Sequence, residues 1–311
     1  MTTDTPDEFE LWAATPTPFR ADQSLAAEVV PAQARQLRRL GIDGAFVGGT
    51  TGESMALTVD ERAELITAWA KERGDGLLLG AHVGDLSVVD ARRLARHAAD
   101  AGVDMIAAVA PFYGEPPSVG AIVDYLAEIA AAAPDVPLCY YHIPSMTGLR
   151  AAPSAVVAEA AGLIPSLTSV KFTDGDLLEF IRTREAAENV RVYFGRDELL
   201  PAAVACGATG AIGSLYNLLA PVARQVRASV LAGDIERALA LHRPFREIAA
   251  VADRWGSIVV VKELINRFGP DAGPARTPWG RLSGEAQAAV DALLTSLRAV
   301  VSPTTDGVGS V

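Results

Sequence analysis

The chain has only three lysines, Lys71, Lys171 and Lys262, and arginine supplies nearly all the rest of its positive charge. Lys171 stands in the run Ser169-Val170-Lys171-Phe172, which reads as an interior strand. A charged group in such a place is costly unless it is paired or used. Burial favours the neutral form of a lysine, and a neutral amine can attack a carbonyl carbon to form a Schiff base. By residue type alone such a lysine reads as the structural partner of a buried carboxylate. The hydroxyls that close neighbouring apolar runs, Tyr141 and the pair Thr50-Thr51, shift the reading to a nucleophile.

A Schiff-base lysine needs a proton shuttle, donors for a substrate carboxylate and polar groups for the remainder of the substrate. A phenol both donates and accepts, so Tyr141 can shuttle protons. Gly49-Thr50-Thr51-Gly52 can hold a carboxylate through hydroxyls and exposed backbone N–H groups. Taken singly, Tyr141 reads as a buried ring with one satisfied hydroxyl and the Gly/Thr run as a tight turn. The turn and the carboxylate site are compatible, since the turn would present the amides.

Something must bring these side chains together. Short apolar runs alternate with longer amphipathic ones, and strands are expected at 11–14, 44–47, 77–83, 105–109, 138–141, 169–172, 192–194 and 210–213. Helices are expected at 26–40, 87–101, 118–132, 153–161, 177–188 and 198–206. Another follows Thr58, where Glu61 completes a capping box. Gly41, Gly102 and Gly162 fall just past helices, where a left-handed residue is wanted. Eight β-then-α units imply a parallel sheet. No Gly-x-Gly-x-x-Gly follows the first strand, which counts against a dinucleotide-binding open sheet. The strand count favours an α/β fold of the (β/α)₈ TIM-barrel type, whose active site lies at the C-terminal strand ends. After Leu218 the pattern turns wholly helical, at 220–231, 235–252, 258–268 and 283–300. Residues 1–232 then form the barrel, 233–300 a C-terminal helical extension packed on it, and 301–311 a disordered tail.

Other function classes find little support. Net charge is −11 with no Lys/Arg block, so no nucleic-acid or membrane partner is expected. The N-terminal residues are acidic and polar, unlike a signal peptide, and no apolar run approaches the length of a membrane span. Cys139 and Cys206 sit in apolar stretches and read as small buried hydrophobes, which suits a reducing cytoplasm. The four histidines, His82, His97, His142 and His242, show no metal-ligand spacing. His82 reads as a satisfied core residue, and no Gly-x-Ser-x-Gly elbow is present.

The strand-end residues resemble those of the dihydrodipicolinate synthase / N-acetylneuraminate lyase superfamily. The resemblance is carried by 41–54, by Tyr141-His142-Ile143-Pro144 and by Lys171-Phe172-Thr173, with 171 − 141 = 30 residues between tyrosine and lysine. It implies that Lys171 forms the Schiff base, Tyr141 shuttles protons, and Thr50 links Tyr141 to Tyr113, which reaches across a subunit interface. Thr51 and nearby amides, Gly49 among them, would hold the pyruvate carboxylate. A homotetramer without metal or cofactor is implied as well.

Within the superfamily, the synthases usually carry an arginine two residues after the proline, to grip a second carboxylate. Met146 stands there and cannot form that bidentate contact. The lyase branch instead has Gly-x-Asp-Glu and Gly-Ser-x-Tyr-Asn runs, present here as 195–198 and 213–217. By that resemblance Thr173, Gly195, Asp197, Glu198 and Ser214 would bind the polyol tail of a sugar acid. Read from the residues alone, Asp197 and Glu198 also suit the N-terminus of a helix. His142 replaces the usual asparagine. The expected activity is class I aldol cleavage of a 2-keto sugar acid such as N-acetylneuraminate to pyruvate and an aldehyde. The alternatives are another pyruvate-dependent aldolase, a 2-keto-3-deoxy sugar acid dehydratase or a dihydrodipicolinate synthase-like enzyme of the same superfamily, and, in a different class, a non-catalytic ligand-binding regulator.

Overall fold

A computed structural model describes residues 9–301. The expected tail falls outside them, except for Val301, which ends a helix. Strands form at β1 Glu10–Ala14, β2 Gly44–Val47, β3 Leu78–His82, β4 Met105–Val109, β5 Leu138–His142, β6 Leu167–Phe172, β7 Arg191–Phe194 and β8 Gly210–Gly213. They pair in parallel in chain order, and β8 returns to β1, so that the sheet closes into a barrel. Three of these, β2, β4 and β8, have the expected bounds, and the others shift at their ends.

Alternation along each strand gives the barrel two apolar layers. Trp12, Phe46, Met105, Tyr141, Tyr193 and Ile212 point inward and fill the interior. Glycine makes room for the largest of them: a Cβ on Gly44 would lie 2.2 Å from the Trp12 ring, and one on Gly210 2.7 Å from the Tyr193 ring. Outward-facing side chains such as Val170, Phe172 and Phe194 pack under the helices. Phe172, Phe180 and Phe194 form one ring cluster there, with centroids 5.2–6.3 Å apart. The same alternation places Ser169, Lys171 and Thr173 inside.

The helices between strands are α1 Val30–Arg39, α2 Val59–Ala70, α3 Val88–Asp100, α4 Val119–Ala132, the single turn α5 Pro144–Thr147, α6 Pro153–Ala160, α7 Leu177–Glu185 and α8 Leu200–Ala205. The capping box of α2 forms: Glu61 N donates to Thr58 Oγ1 at 3.2 Å and Thr58 N to Glu61 Oε2 at 2.9 Å. Gly41, Gly102 and Gly162 have φ of +67°, +77° and +81°, as their places after helices require.

Beyond β8 come α9 Tyr216–Leu231, α10 Ile235–Leu241, α11 Arg243–Trp255, α12 Ser257–Phe268 and α13 Gly284–Val301. Proline accounts for most differences from expectation. The span 235–252 is two helices because Pro244, in the first turn of α11, has no N–H to continue the first. The span 198–206 opens as a 3₁₀ turn, Asp197–Leu199, before α8 begins at Leu200 with Pro201 in its first turn. Helix α9 begins earlier than expected, at Tyr216, and kinks at Leu219 ahead of Pro221. Cys206 is half-buried at the end of α8, not buried as expected. Helices α11, α12 and α13 pack on one another, and α12 and α13 also reach α9. No helix among the described residues is long and apolar enough to cross a membrane.

Candidate active site

Strands β5 and β6 pair with Tyr141 opposite Lys171. Both side chains point to the barrel axis and are 3% and 4% exposed. Lys171 Nζ lies 4.2 Å from the centroid of the Tyr141 ring and 4.3 Å from that of Phe46. The two rings meet edge to face, 5.9 Å apart at 86°. The amine is therefore flanked by aromatic surface, and among the described residues no carboxylate forms an ion pair with it. The Tyr141 hydroxyl is hydrogen-bonded to Thr50 Oγ1 at 3.1 Å.

The turn after β2 holds Thr50 and Thr51. Gly48 has φ of +65° and starts the turn. Glu53 N donates to Thr50 O at 3.0 Å, and Ser54 N to Gly49 O at 3.2 Å. Gly49 lies against Phe46, whose ring would be 2.6 Å from an added Cβ. It shapes the turn and does not line the cavity.

A cavity of about 300 Å³ opens beside Lys171, lined also by Thr50, Thr51, Tyr141, Thr173, Gly195, Asp197, Glu198 and Ser214. The structure thus gathers most of the residues singled out in the sequence around one space. Tyr113 stays apart, 89% exposed on the loop after β4. His142 faces the helices and packs on Phe172, with ring centroids 5.6 Å apart. A second, more apolar cavity of about 360 Å³ adjoins the far side of Thr50 and Tyr141 and does not touch Lys171. Among the described residues no group of three or more His, Cys, Asp or Glu could hold a metal.

The chain matches the dihydrodipicolinate synthetase family over residues 9–297. It belongs to that family. It is 34% identical over 299 residues to N-acetylneuraminate lyase of Mus musculus, covering 94% of this chain and 93% of that protein. It is also 34% identical over 295 residues to N-acetylneuraminate lyase of Rhizobium meliloti (strain 1021), covering 94% of each. The solved structure of Proteus mirabilis N-acetylneuraminate lyase superposes with a TM-score of 0.89 at 32% identity, over 93% of this chain and 98% of that one.

Among the other residues of this family member that line the cavity are Met146, Arg196, Asp253 and Ser257. Arg196 Nε donates to Glu198 Oε1 at 2.5 Å. Its place inside the Gly-x-Asp-Glu run was a usable signal. Asp253 and Ser257 flank the corner between α11 and α12, and nothing in their local sequence marks them.

Asp197 does not cap a helix. Its Oδ2 accepts from Leu215 N at 2.8 Å, which ties the loop after β7 to the loop after β8. Its Oδ1 presses on Gly213, where a Cβ would sit 1.5 Å away, and has no hydrogen-bond partner among the described residues. Burial drives the carboxyl up to about 7; the Leu215 bond opposes this and the charge on Glu198 adds to it. His242 supports the same loop by donating from Nε2 to Asp197 O at 2.9 Å. Its ring is held down near 4, chiefly by burial, and so stays neutral.

The shift in Asp197 predicts a pH dependence. An unfolded aspartate titrates near 3.8 and this one at about 7. Between those values the folded chain holds a proton that the unfolded chain has lost. Raising pH through this window therefore removes stability, and the loss is complete above about 7. Asp197→Asn abolishes the titration. Its stability relative to the parent should rise between about pH 4 and about pH 7 and then level off, as read from urea midpoints across that range. A difference that does not change with pH would show that Asp197 ionises normally.

Proposed function

We propose that this chain is a metal-independent class I aldolase that cleaves a 2-keto sugar acid, N-acetylneuraminate in the first instance, to pyruvate and N-acetylmannosamine. The observation that carries the reading is the buried amine of Lys171, beside the Tyr141–Thr50 pair and open to a cavity whose wall includes Thr51, Thr173, Asp197, Glu198 and Ser214. The neutral amine attacks C2 of the open-chain acid, and loss of water leaves an iminium. Tyr141 relays the protons of that step. In the cleavage step the C4 hydroxyl passes its proton through Tyr141, which returns one to C3 afterwards, and becomes the aldehyde carbonyl. The C3–C4 bonding pair moves into C2=C3, and the iminium is neutralised as an enamine. The aldehyde leaves, C3 takes a proton, and water releases pyruvate from Lys171. The lysine itself is the electron sink, so the reaction calls on no cofactor.

Thr51 and the amides of its turn hold the carboxylate in this scheme, and Thr173, Gly195, Asp197, Glu198 and Ser214 hold the polyol. A wall with three carboxyl groups, those of Asp197, Glu198 and Asp253, suits hydroxyl donors. Met146 cannot grip a second carboxylate, and Arg196, the guanidinium that does line the cavity, is already paired with Glu198; both argue against a substrate with a second carboxylate. We further propose a cytoplasmic homotetramer in which Tyr113 reaches the Thr50–Tyr141 pair of a neighbouring copy. The exposure of Tyr113, together with that of Met55 and Met146 near the mouth, supports this.

The test is pyruvate release from N-acetylneuraminate and 2-keto-3-deoxygluconate, with aspartate semialdehyde plus pyruvate run as a condensation. Release from N-acetylneuraminate is the expected result. Turnover of one of the other substrates with none of this one would overturn the assignment and leave the Schiff-base chemistry standing.

A further inference from the structure

Behind the Thr50–Thr51 turn lies a buried ion pair that the chemistry above does not use. Glu53 ends the turn with φ of +57°, a left-handed conformation that non-glycine residues adopt only when their surroundings hold them. Its side chain turns inward and is fully buried. Oε1 accepts from Lys262 Nζ at 2.7 Å, and Oε2 from the backbone N–H of Arg276 at 2.7 Å. Lys262, on α12, also donates to Thr17 O at 2.7 Å. Thr17 in turn donates from Oγ1 to Gly52 O at 2.6 Å. Gly52, Thr17, Lys262 and Glu53 thus close a ring of polar contacts directly beneath Thr50 and Thr51. The turn itself is tight, since a Cβ on Gly52 would meet Gly48 N at 3.0 Å and Thr15 O at 3.2 Å.

We infer that Glu53 and Lys262 are positioning residues, by which the C-terminal helices hold the 48–53 turn in the shape that receives the substrate carboxylate. Neither touches the cavity beside Lys171. Their effect passes through the turn: a carboxylate bound by several hydroxyls and amides at once needs all of them aimed together, and an αL residue relaxes when its side-chain anchor is lost. This inference rests on the aldolase reading, because it assigns the turn to a pyruvate carboxylate.

Glu53→Gln keeps the shape of the side chain and its bond from Arg276 N while removing the charge opposite Lys262. Borohydride trapping of pyruvate, followed by intact mass, is measured over a range of pyruvate concentrations in this variant, in the double variant Glu53→Gln/Lys262→Met and in the parent. The expected result is a half-saturating pyruvate concentration about tenfold higher in both variants, the scale of one charge-assisted hydrogen bond, with trapping at saturation unchanged. KM for pyruvate in the synthetic direction should rise with it while kcat holds within about threefold. A purely structural pair would lower the melting temperature and leave both concentrations unmoved well below it, and that outcome overturns the inference. Should the double variant fail to fold, the isosteric Glu53→Gln alone decides. A parent that traps no pyruvate at any concentration would instead bring down the Schiff-base reading, and this inference with it.

Discussion

Lys171→Ala removes turnover, by at least about 10⁴-fold, and abolishes all borohydride-dependent addition of pyruvate to the protein. The size of the loss follows from what the amine supplies. Without an iminium, breaking the C3–C4 bond must place a full negative charge on an enolate inside an apolar barrel, next to the rings of Phe46 and Tyr141. No other lysine can stand in: Lys262 is held by Glu53 and Thr17 behind the turn, and Lys71 is exposed just past the end of α2 and does not line the cavity. The fold should survive the change. No carboxylate is paired with Lys171 among the described residues, so its removal leaves no buried charge unmatched, and the variant should melt within a few degrees of the parent. Lys262→Met is the opposite case, since it strands the buried Glu53 and costs about 3–5 kcal/mol. The contrast between the two lysines is measurable by thermal unfolding and activity together. Residual turnover in Lys171→Ala with no trapped adduct would rule out covalent catalysis.

Much of this is legible in the sequence. Tight strand runs such as Gly44–Val47 and Gly210–Gly213 are bounded by turn residues on both sides and read correctly to the residue. Lys171 was conspicuous because a lysine is out of place between Val170 and Phe172. The barrel then did what its topology demands and carried Thr50, Tyr141, Asp197 and Ser214 to one end. What stayed hidden depends on contacts distant in sequence. Lys262 reads locally as one polar position on an apolar helix, and Glu53 as the end of a turn. That they meet follows only from α12 packing across the barrel mouth, 262 − 53 = 209 residues later. Asp253 and Ser257 reach the cavity wall for the same reason. Asp197 was identified, but its anchor on Leu215 N and its raised protonation depend on how closely two loops approach. Proline marks the joints at Pro201 and Pro244 in the sequence, but apolar periodicity continues through both and masks them.

Tyr141→Phe should lower kcat by about 10²–10⁴-fold, the range for losing a positioned proton-transfer group. In the proposed mechanism the phenol moves a proton at the reacting carbons, and its hydroxyl is hydrogen-bonded to Thr50 Oγ1 at 3.1 Å. The substitution deletes one oxygen and keeps the ring. The edge-to-face contact with Phe46 and the ring face beneath Lys171 Nζ therefore persist, and the amine keeps its surroundings. Thr50 is half-buried and can turn its hydroxyl to water, so the lost bond should cost no more than about 1 kcal/mol of stability. Imine formation should slow but still reach completion, because water can carry its protons less efficiently. The decisive pattern is thus a large fall in kcat, slow but full trapping of pyruvate, and a nearly unchanged melting temperature. If kcat holds while Tyr141→Phe folds normally, the proton travels by another path, and the pairing of Tyr141 with Lys171 across β5 and β6 is a matter of packing alone.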